Sequence, residues 1–140
     1  MNIRGSDLLT SVFGYWPSFH GAEVVKLEFV RVTPFAEGPD LLADVRAFEI
    51  TRDVGADGFL VLQHHVLVSF RFRGVDQVHL EGWNNQNVLM RLSIEDIRGR
   101  QLDVLKYAVC FDSSWGVSAA FLCRDVVIEN VRPWNPDGEP

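Results

Sequence analysis

Apolar and polar residues alternate along most of the chain after Ala22, and a period of two is typical of strands with one buried face. The clearest run spans residues 59–72, where every second residue from Val66 to Phe72 is apolar. Further strands are predicted near residues 22–29, 41–50, 75–83, 88–94, 105–111 and 117–128. Parallel sheets need crossover connections of about a dozen residues, usually helical, and the chain carries one helix signal. The pattern therefore predicts a mainly β fold with a single antiparallel, strongly curved sheet, or an open barrel or sandwich, of about seven strands.

The helix signal lies near the N-terminus. Ser6 is the expected N-cap and Gly14 the expected end of a short helix. The apolar residues that fall at helical spacing are Leu8, Leu9, Val12 and Phe13. We expect this helix to bury that face and to cover one end of the sheet.

Three local features complete the predicted organisation. Residues 52–58 carry the aspartates and glycines of a turn between two strands. The apolar phase of the last predicted strand changes at Arg124-Asp125, which favours a β-bulge. The chain is accordingly interpreted as one β-rich domain over residues 1–133, followed by a flexible, proline-rich C-terminal tail over residues 134–140.

The charge distribution indicates a binding role. The chain has 13 basic and 19 acidic residues and a net charge of −6. Six acids and two bases lie between residues 37 and 57, and they are either a solvated strand face or a docking surface for a cationic partner. The residues predicted for that docking surface are Glu37, Asp40, Asp44, Asp53 and Asp57. Because phosphate binders usually carry a basic stripe, nucleic acid is not the expected partner.

The sequence carries no recognisable catalytic set. Its serines do not lie in a Gly-x-Ser-x-Gly elbow, and phosphate-binding glycine loops are missing. The four histidines lack zinc-ligand spacing, so neither a metal nor another cofactor is expected. No export signal and no run of about 20 apolar residues occurs, so we expect a cytoplasmic protein without a membrane partner. These observations predict a binding protein and not an enzyme.

Two segments set polar residues among aromatic ones: residues 15–24 and residues 81–88, the second with four consecutive amides. The amide run is interpreted as a turn formed by Asn84 and Asn85, with Gln86 and Asn87 pairing with the backbone of the loop. The competing interpretation is a recognition surface with Trp83 as its anchor. His20 and Glu23 would form a fixed polar pair that closes the first loop. An alternative function follows from the same residues, since Trp83, Trp115 and the amides suit a small-ligand or carbohydrate-binding β module.

These two segments carry a family resemblance. The stretch FGYWPSFHGAEV at residues 13–24 resembles the N-terminal signature of the immunity protein 50 family of bacterial polymorphic-toxin systems, which has an F-H-D-A-E-V core. The similarity continues in collinear order through FEIT at 48–51, HVLVSFRF at 65–72, LEGWNNQNV at 80–88 and FDSSWGV at 111–117. The chain departs at Gly21, where the signature has Asp, and at Trp83, where the family has another aromatic residue.

The resemblance implies a cytoplasmic antitoxin that binds and neutralises a cognate toxin domain by direct contact. Many toxins of this kind are basic nucleases, so the resemblance makes a basic nuclease a candidate partner. Because the contact residues of immunity proteins tend to vary, the motif residues are expected to be structural. They are Trp16, His20, Glu23, Trp83, Asn84, Gln86, Asn87 and Asp112.

Overall fold

A computed structural model describes residues 3–32 and 37–135. One α-helix, α1, spans Ser6–Phe13, and a short 3₁₀ turn spans Arg98–Arg100. The strands are β1 (Glu23–Val30), β2 (Asp40–Val54), β3 (Leu60–Arg73), β4 (Asp76–Glu81), β5 (Val88–Asp96), β6 (Tyr107–Trp115), β7 (Ser118–Cys123) and β8 (Asp125–Pro133).

All of these strands pair in one antiparallel sheet with the order β4-β7-β6-β5-β1-β2-β3-β8. The predicted mainly β fold with one short helix is therefore confirmed. The sheet is strongly curved and unclosed, because β4 and β8 remain at its two edges. Strands β1, β2, β3 and β8 form what we name the first half of the sheet, and β4 to β7 form the second half.

The additional strand arises at Arg124, where the sequence predicts a β-bulge in one long strand. That prediction is wrong, since β7 pairs with β4 and β6 while β8 pairs with β3 at the opposite edge of the sheet. The backbone N–H of Arg124 donates to the carbonyl oxygen of Arg73 at 2.8 Å, beside the two-residue connection from β3 to β4. The change of apolar phase thus marks a corner at which both chain segments pass from one half to the other.

The corner folds the two halves over a shared core. The ring centroid of Phe72 on β3 lies 6.1 Å from that of Phe111 on β6 and 5.0 Å from that of Phe121 on β7. Gly74 makes the sharp passage possible, because its φ is +60° and a Cβ there would lie 2.6 Å from the carbonyl oxygen of Glu37. The period-two face predicted for β3 is therefore the face that fills the core.

Helix α1 packs against β8 and β3. Its buried residues are Leu9 and Phe13, whereas Leu8, placed on the same predicted face, is 41% exposed. The helix ends as predicted at Gly14, whose N–H donates to the carbonyl oxygen of Thr10 at 2.7 Å. The predicted N-cap is wrong: Gly5 occupies that position, and Ser6 is the first helical residue.

The end of β8 runs on along β3. The backbone N–H of Trp134, the first residue of the predicted tail, donates to the carbonyl oxygen of His65 at 3.0 Å. The guanidinium of Arg46 lies 4.3 Å from the centroid of the Trp134 ring. Residues 136–140 of that predicted tail lie outside the described residues.

Candidate partner-binding surface

The five acids predicted as one docking surface are spread along the first half of the sheet. Asp40 begins β2, and Asp53 lies near its other end. Because a strand rises about 3.3 Å per residue, the two residues lie up to about 43 Å apart along β2. A standard interface of roughly 800 Å² per partner is only about 30 Å across. A fully extended β2 would thus set Asp40 and Asp53 farther apart than the width of one such interface.

Asp40 serves the corner of the fold. It is 5% exposed, and its carboxylate accepts hydrogen bonds from Arg71 at 2.8 Å and from the backbone N–H of Gly74 at 3.2 Å. Hydrogen bonds to Asp40 and then to Glu129 raise the pKa of the Arg71 guanidinium. A buried carboxylate with two partners holds the corner and is poorly placed to meet another protein.

Glu37 and Asp44 also have surroundings that differ from an acidic patch. Glu37 shares a corner cavity of about 430 Å³ with the basic Arg73, Lys106 and Arg124. Asp44, in the middle of β2, accepts a hydrogen bond from the hydroxyl of Ser69 at 2.8 Å. The charge around both residues is therefore mixed or partly satisfied within the fold.

Asp53 and Asp57 lie instead on a projecting hairpin. We name residues 49–64 the β2–β3 arm, comprising the outer ends of β2 and β3 and their turn. The turn is closed by a hydrogen bond from the N–H of Gly55 to the carbonyl oxygen of Phe59 at 2.7 Å. One carboxylate oxygen of Asp57 accepts the N–H of Phe59 at 3.0 Å, so Asp57 stabilises the turn while it stays exposed.

The arm is apolar and exposed at once. Its large apolar side chains and their exposed fractions are Ile50 43%, Val54 67%, Phe59 73%, Leu60 50%, Val61 40% and Leu62 43%. Scattered apolar residues are normal on a protein surface, whereas contiguous ones mark an interaction site. The arm is thus the strongest candidate for a partner-binding surface.

Four of these residues share one face of the arm. Ile50 is directly opposite Leu62, and Val54 is directly opposite Leu60, with a register shift between the two pairs because β2 carries two more residues there than β3. Directly opposed residues project to the same side of a sheet, and residues two apart on a strand do as well. We name Ile50, Val54, Leu60 and Leu62 the apolar face of the arm.

A polar cluster holds the base of the arm. The hydroxyl of Tyr15 and the side-chain amide of Gln63 both donate to the carboxylate of Glu49, and Nδ1 of His64 lies 3.4 Å from it. The hydrogen bond from Tyr15, and then that from Gln63, lower the pKa of Glu49, and the same contact with Glu49 raises the pKa of Tyr15. His64 has a φ of +56° where the register of β2 and β3 shifts. The cluster therefore links the arm to the segment that follows α1.

The amide run forms a turn held by its own side chains. Asn87 is 2% exposed, and its side-chain oxygen accepts the N–H groups of Asn84 at 2.9 Å and Val117 at 3.0 Å. Its side-chain NH₂ donates to the carbonyl oxygen of Asn84 at 2.8 Å. Asn87 thereby joins this turn to the start of β7, while Gln86 is exposed and Trp83 is 48% exposed.

The motif residues near the N-terminus contact different elements. The half-buried Trp16 packs edge-on against Phe19 at 6.1 Å between ring centroids. Nδ1 of His20 lies 3.1 Å from the carbonyl oxygen of Met90, and Glu23 pairs with Arg46 at 3.2 Å. His20 and Glu23 thus have separate partners and do not form the pair that the sequence suggests.

Gly21 and Asp112 are the remaining motif positions. Gly21 has a φ of +78°, a conformation that glycine adopts freely, and a Cβ at this position would lie only 3.1 Å from the ring of Phe48, so this turn favours glycine over the Asp of the signature. Asp112 accepts two hydrogen bonds from Arg91, at 3.0 and 2.8 Å, and one from the thiol of Cys110 at 3.1 Å. The thiol and Arg91 lower the pKa of Asp112. Asp112 therefore ties β6 to β5 on the outer face.

Other kinds of site receive little support from the described residues. Five surface cavities of about 250–540 Å³ have linings that include neither Trp83 and Trp115 nor the amides that a carbohydrate site would use. Within residues 3–32 and 37–135, no three His, Cys, Asp or Glu side chains are grouped so that they could hold a metal ion. The same part of the chain contains no helix that is long and apolar enough to cross a membrane.

The sequence-based prediction of a docking surface omits the apolar face of the arm, because that prediction rests on acidic residues alone. One signal was available. Phe59, Leu60, Val61 and Leu62 are consecutive apolar residues, so the alternation of the main sheet breaks down at the start of β3. Such a run is expected for a strand covered on both faces, yet here both faces are exposed.

Comparison with known proteins assigns the family. The family model described as Immunity protein 50 matches residues 5–134, nearly the whole chain. A search of the curated proteins and a search of the solved structures found no match. Because the match includes the helix, every strand and the β2–β3 arm, the chain belongs to the immunity protein 50 family.

Proposed function

We propose that this protein is a cytoplasmic antitoxin that neutralises a cognate toxin domain by binding it directly. Membership of an immunity protein family supports the protective role. The exposed β2–β3 arm supports direct contact, because it presents six large apolar side chains that the fold leaves 40–73% exposed. That exposure is the observation on which direct binding rests.

The charge of the chain indicates the chemistry of the partner. A protein of net charge −6 attracts a basic domain and accelerates its association by electrostatic steering. A basic nuclease domain has this property and is the partner class that we propose. The binding site of such a nuclease for nucleic acid would be the surface that an acidic antitoxin meets most readily.

Binding and catalysis predict different stoichiometry. An antitoxin that acts by contact neutralises one toxin molecule per antitoxin molecule. An enzyme that destroys or modifies the toxin would inactivate many toxin molecules. We therefore propose a non-enzymatic role, in which inhibition of the toxin is complete at one equivalent of antitoxin.

Purified components test this proposal. The toxin domain encoded beside the immunity gene is titrated with the full chain while its activity is measured, and a catalytically inactive toxin variant is used for calorimetry. We expect inhibition that is complete at a 1:1 ratio and a stable complex on size-exclusion chromatography. Full inhibition at a small fraction of one equivalent would contradict a binding mechanism, and the absence of any complex would contradict the pairing.

A further inference from the structure

We infer that the apolar face of the β2–β3 arm is the surface that enters the toxin, where it occupies an apolar cleft rimmed by lysine or arginine side chains. This inference rests on the proposed function and assigns the contact to one element. It replaces the predicted acidic surface of five residues with a compact one, in which apolar burial supplies affinity and Asp53 and Asp57 supply charge.

The first argument is the position of the arm beyond its neighbours. Pairing of β2 with β1 stops at Arg46, and the end of β8 makes its last described backbone contact with β3 at His65, which accepts the N–H of Trp134. Within residues 3–32 and 37–135 the arm is therefore a two-stranded ribbon with no third strand beside it, and such ribbons are marginally stable in water on their own. Burial of its four-residue apolar face against another protein would stabilise the ribbon by removing apolar surface from water.

The second argument is that the arm is held in a defined orientation. Glu49 at its base is contacted by Tyr15, Gln63 and His64. At its tip, the carboxylate of Asp57 and the N–H of Gly55 close the turn around Phe59. An element held at both ends loses less conformational entropy on binding, and this preorganisation increases affinity.

The third argument is the charge beside the apolar face. Asp53 and Asp57 are exposed at the end of the arm, together with the single base Arg52. A basic rim on the partner would meet these carboxylates, as expected for a toxin attracted to a chain of net charge −6. A second copy of this chain would instead bring the same acids and the same negative charge together, so the charge favours the toxin as the occupant.

Paired apolar variants test the assignment. Leu60→Thr with Leu62→Thr removes half of the apolar face and keeps residues that favour strands. The control, Val25→Thr with Met90→Thr, changes side chains that are 40% and 55% exposed on β1 and β5. Affinity for the inactive toxin domain is measured by calorimetry, after circular dichroism shows that each variant keeps the wild-type spectrum. We expect the arm variant to bind at least about 30-fold more weakly, as for loss of a hot spot, and the control to bind within about threefold of wild type.

A second pair tests the charge. Asp53→Asn with Asp57→Asn removes both charges, and the amide introduced in place of Asp57 retains an oxygen that can accept the N–H of Phe59. Glu81→Gln with Asp103→Asn removes the same charge from exposed sites elsewhere. We expect the arm pair to slow association with the toxin about tenfold at low salt and the control pair to slow it much less.

The outcomes separate this inference from the proposed function. Tight toxin binding by wild type that the arm variants leave unchanged would overturn the arm assignment while direct neutralisation stands. Failure of the wild type to bind its toxin would overturn both. Analytical ultracentrifugation tests whether a second copy of this chain occupies the apolar face. A wild-type dimer that dissociates in the Leu60→Thr, Leu62→Thr variant, with toxin affinity unchanged, would show that the arm joins two copies and would overturn the assignment to the toxin.

Discussion

The inner and outer parts of the β2–β3 hairpin have similar composition and opposite surroundings. In the inner part, Val66, Val68, Phe70 and Phe72 are 0–5% exposed, whereas Leu60, Val61 and Leu62 in the outer part are 40–50% exposed. Both parts use the same two strands paired antiparallel, with register shifts between Ala47 and Glu49 and between Ile50 and Val54. The difference is what lies beside and across from them. Among the described residues, the inner part has strands on both sides and the second half of the sheet over it, and the outer part does not. Apolar residues in a strand therefore indicate that the strand is buried against another surface. The fold shows whether that surface belongs to the same chain or to a binding partner.

Truncation of one large side chain in each part should show the largest difference. Phe72→Ala should lower the free energy of unfolding by about 3–5 kcal/mol, because a fully buried aromatic ring contacting Phe111 and Phe121 is lost. Phe59→Ala should change it by less than about 0.5 kcal/mol, because that ring is 73% exposed. Urea denaturation of the two variants measures both values. Similar losses would show that the arm is packed within the fold and would contradict its availability for binding.

Removal of Asn87 should have a smaller effect on stability and none on the partner surface. Asn87→Ala leaves the N–H groups of Asn84 and Val117 without their acceptor, so we expect a loss of about 2 kcal/mol. Gln86→Ala, at an exposed position in the same turn, is the control and should be nearly neutral. Toxin affinity of both folded variants should equal that of wild type. A large loss of affinity in either variant would place the amide run in the interface.

The base of the arm should respond to pH. The pKa of Glu49 is lowered in the folded protein from its ordinary 4.5, so its contacts stabilise the arm above that pH and are lost as the pH falls through the lowered value. The pKa of Tyr15 is raised from 10.0, so the same hydrogen bond persists below that pH and is lost as the pH rises through the raised value. Hydrogen exchange of the arm amides should therefore be slowest between these limits, after correction for the intrinsic rate.

Substitution at the base gives the matched control for this pH dependence. Glu49→Gln removes the titrating carboxylate, so the loss of protection below pH 4.5 should disappear from the arm amides. Glu95→Gln, which alters a carboxylate paired with Arg100 on the second half, should leave the arm profile unchanged. An acid response that persists in Glu49→Gln would show that another group holds the base.

The sequence was sufficient for the fold where the pattern reports burial directly. The alternation in β3 identifies the core face because polar residues such as Ser69 and Arg71 separate its apolar ones. At Arg124 the sequence predicts a bulge wrongly, since a bulge and a passage to another part of the sheet produce the same change of apolar phase. Distinguishing them requires knowledge of which strands pair, and pairing depends on contacts that are distant in sequence.

The candidate surface was only partly predictable for a related reason. The charge pattern predicts Asp53 and Asp57 as surface residues. Nothing in the sequence shows that the carboxylate of Asp40 accepts hydrogen bonds from Arg71 and from the N–H of Gly74. The apolar run at residues 59–62 suggests a strand buried on both faces, and only the positions at which β1 and β8 stop reveal that it is exposed. The composition of a segment thus indicates candidate residues. Where the neighbouring strands end determines which of those residues are exposed.

Hydrogen exchange of this protein, alone and bound to the inactive toxin domain, tests the central claim most directly. Binding through the arm should slow exchange of the amides of residues 50–62 at least about tenfold. The amides of β4 and β7, at the opposite edge of the sheet, should keep the rates of the free protein. Protection confined to β4 and β7, with the arm exchanging as in the free protein, would contradict the claim that the arm is the surface which binds the toxin.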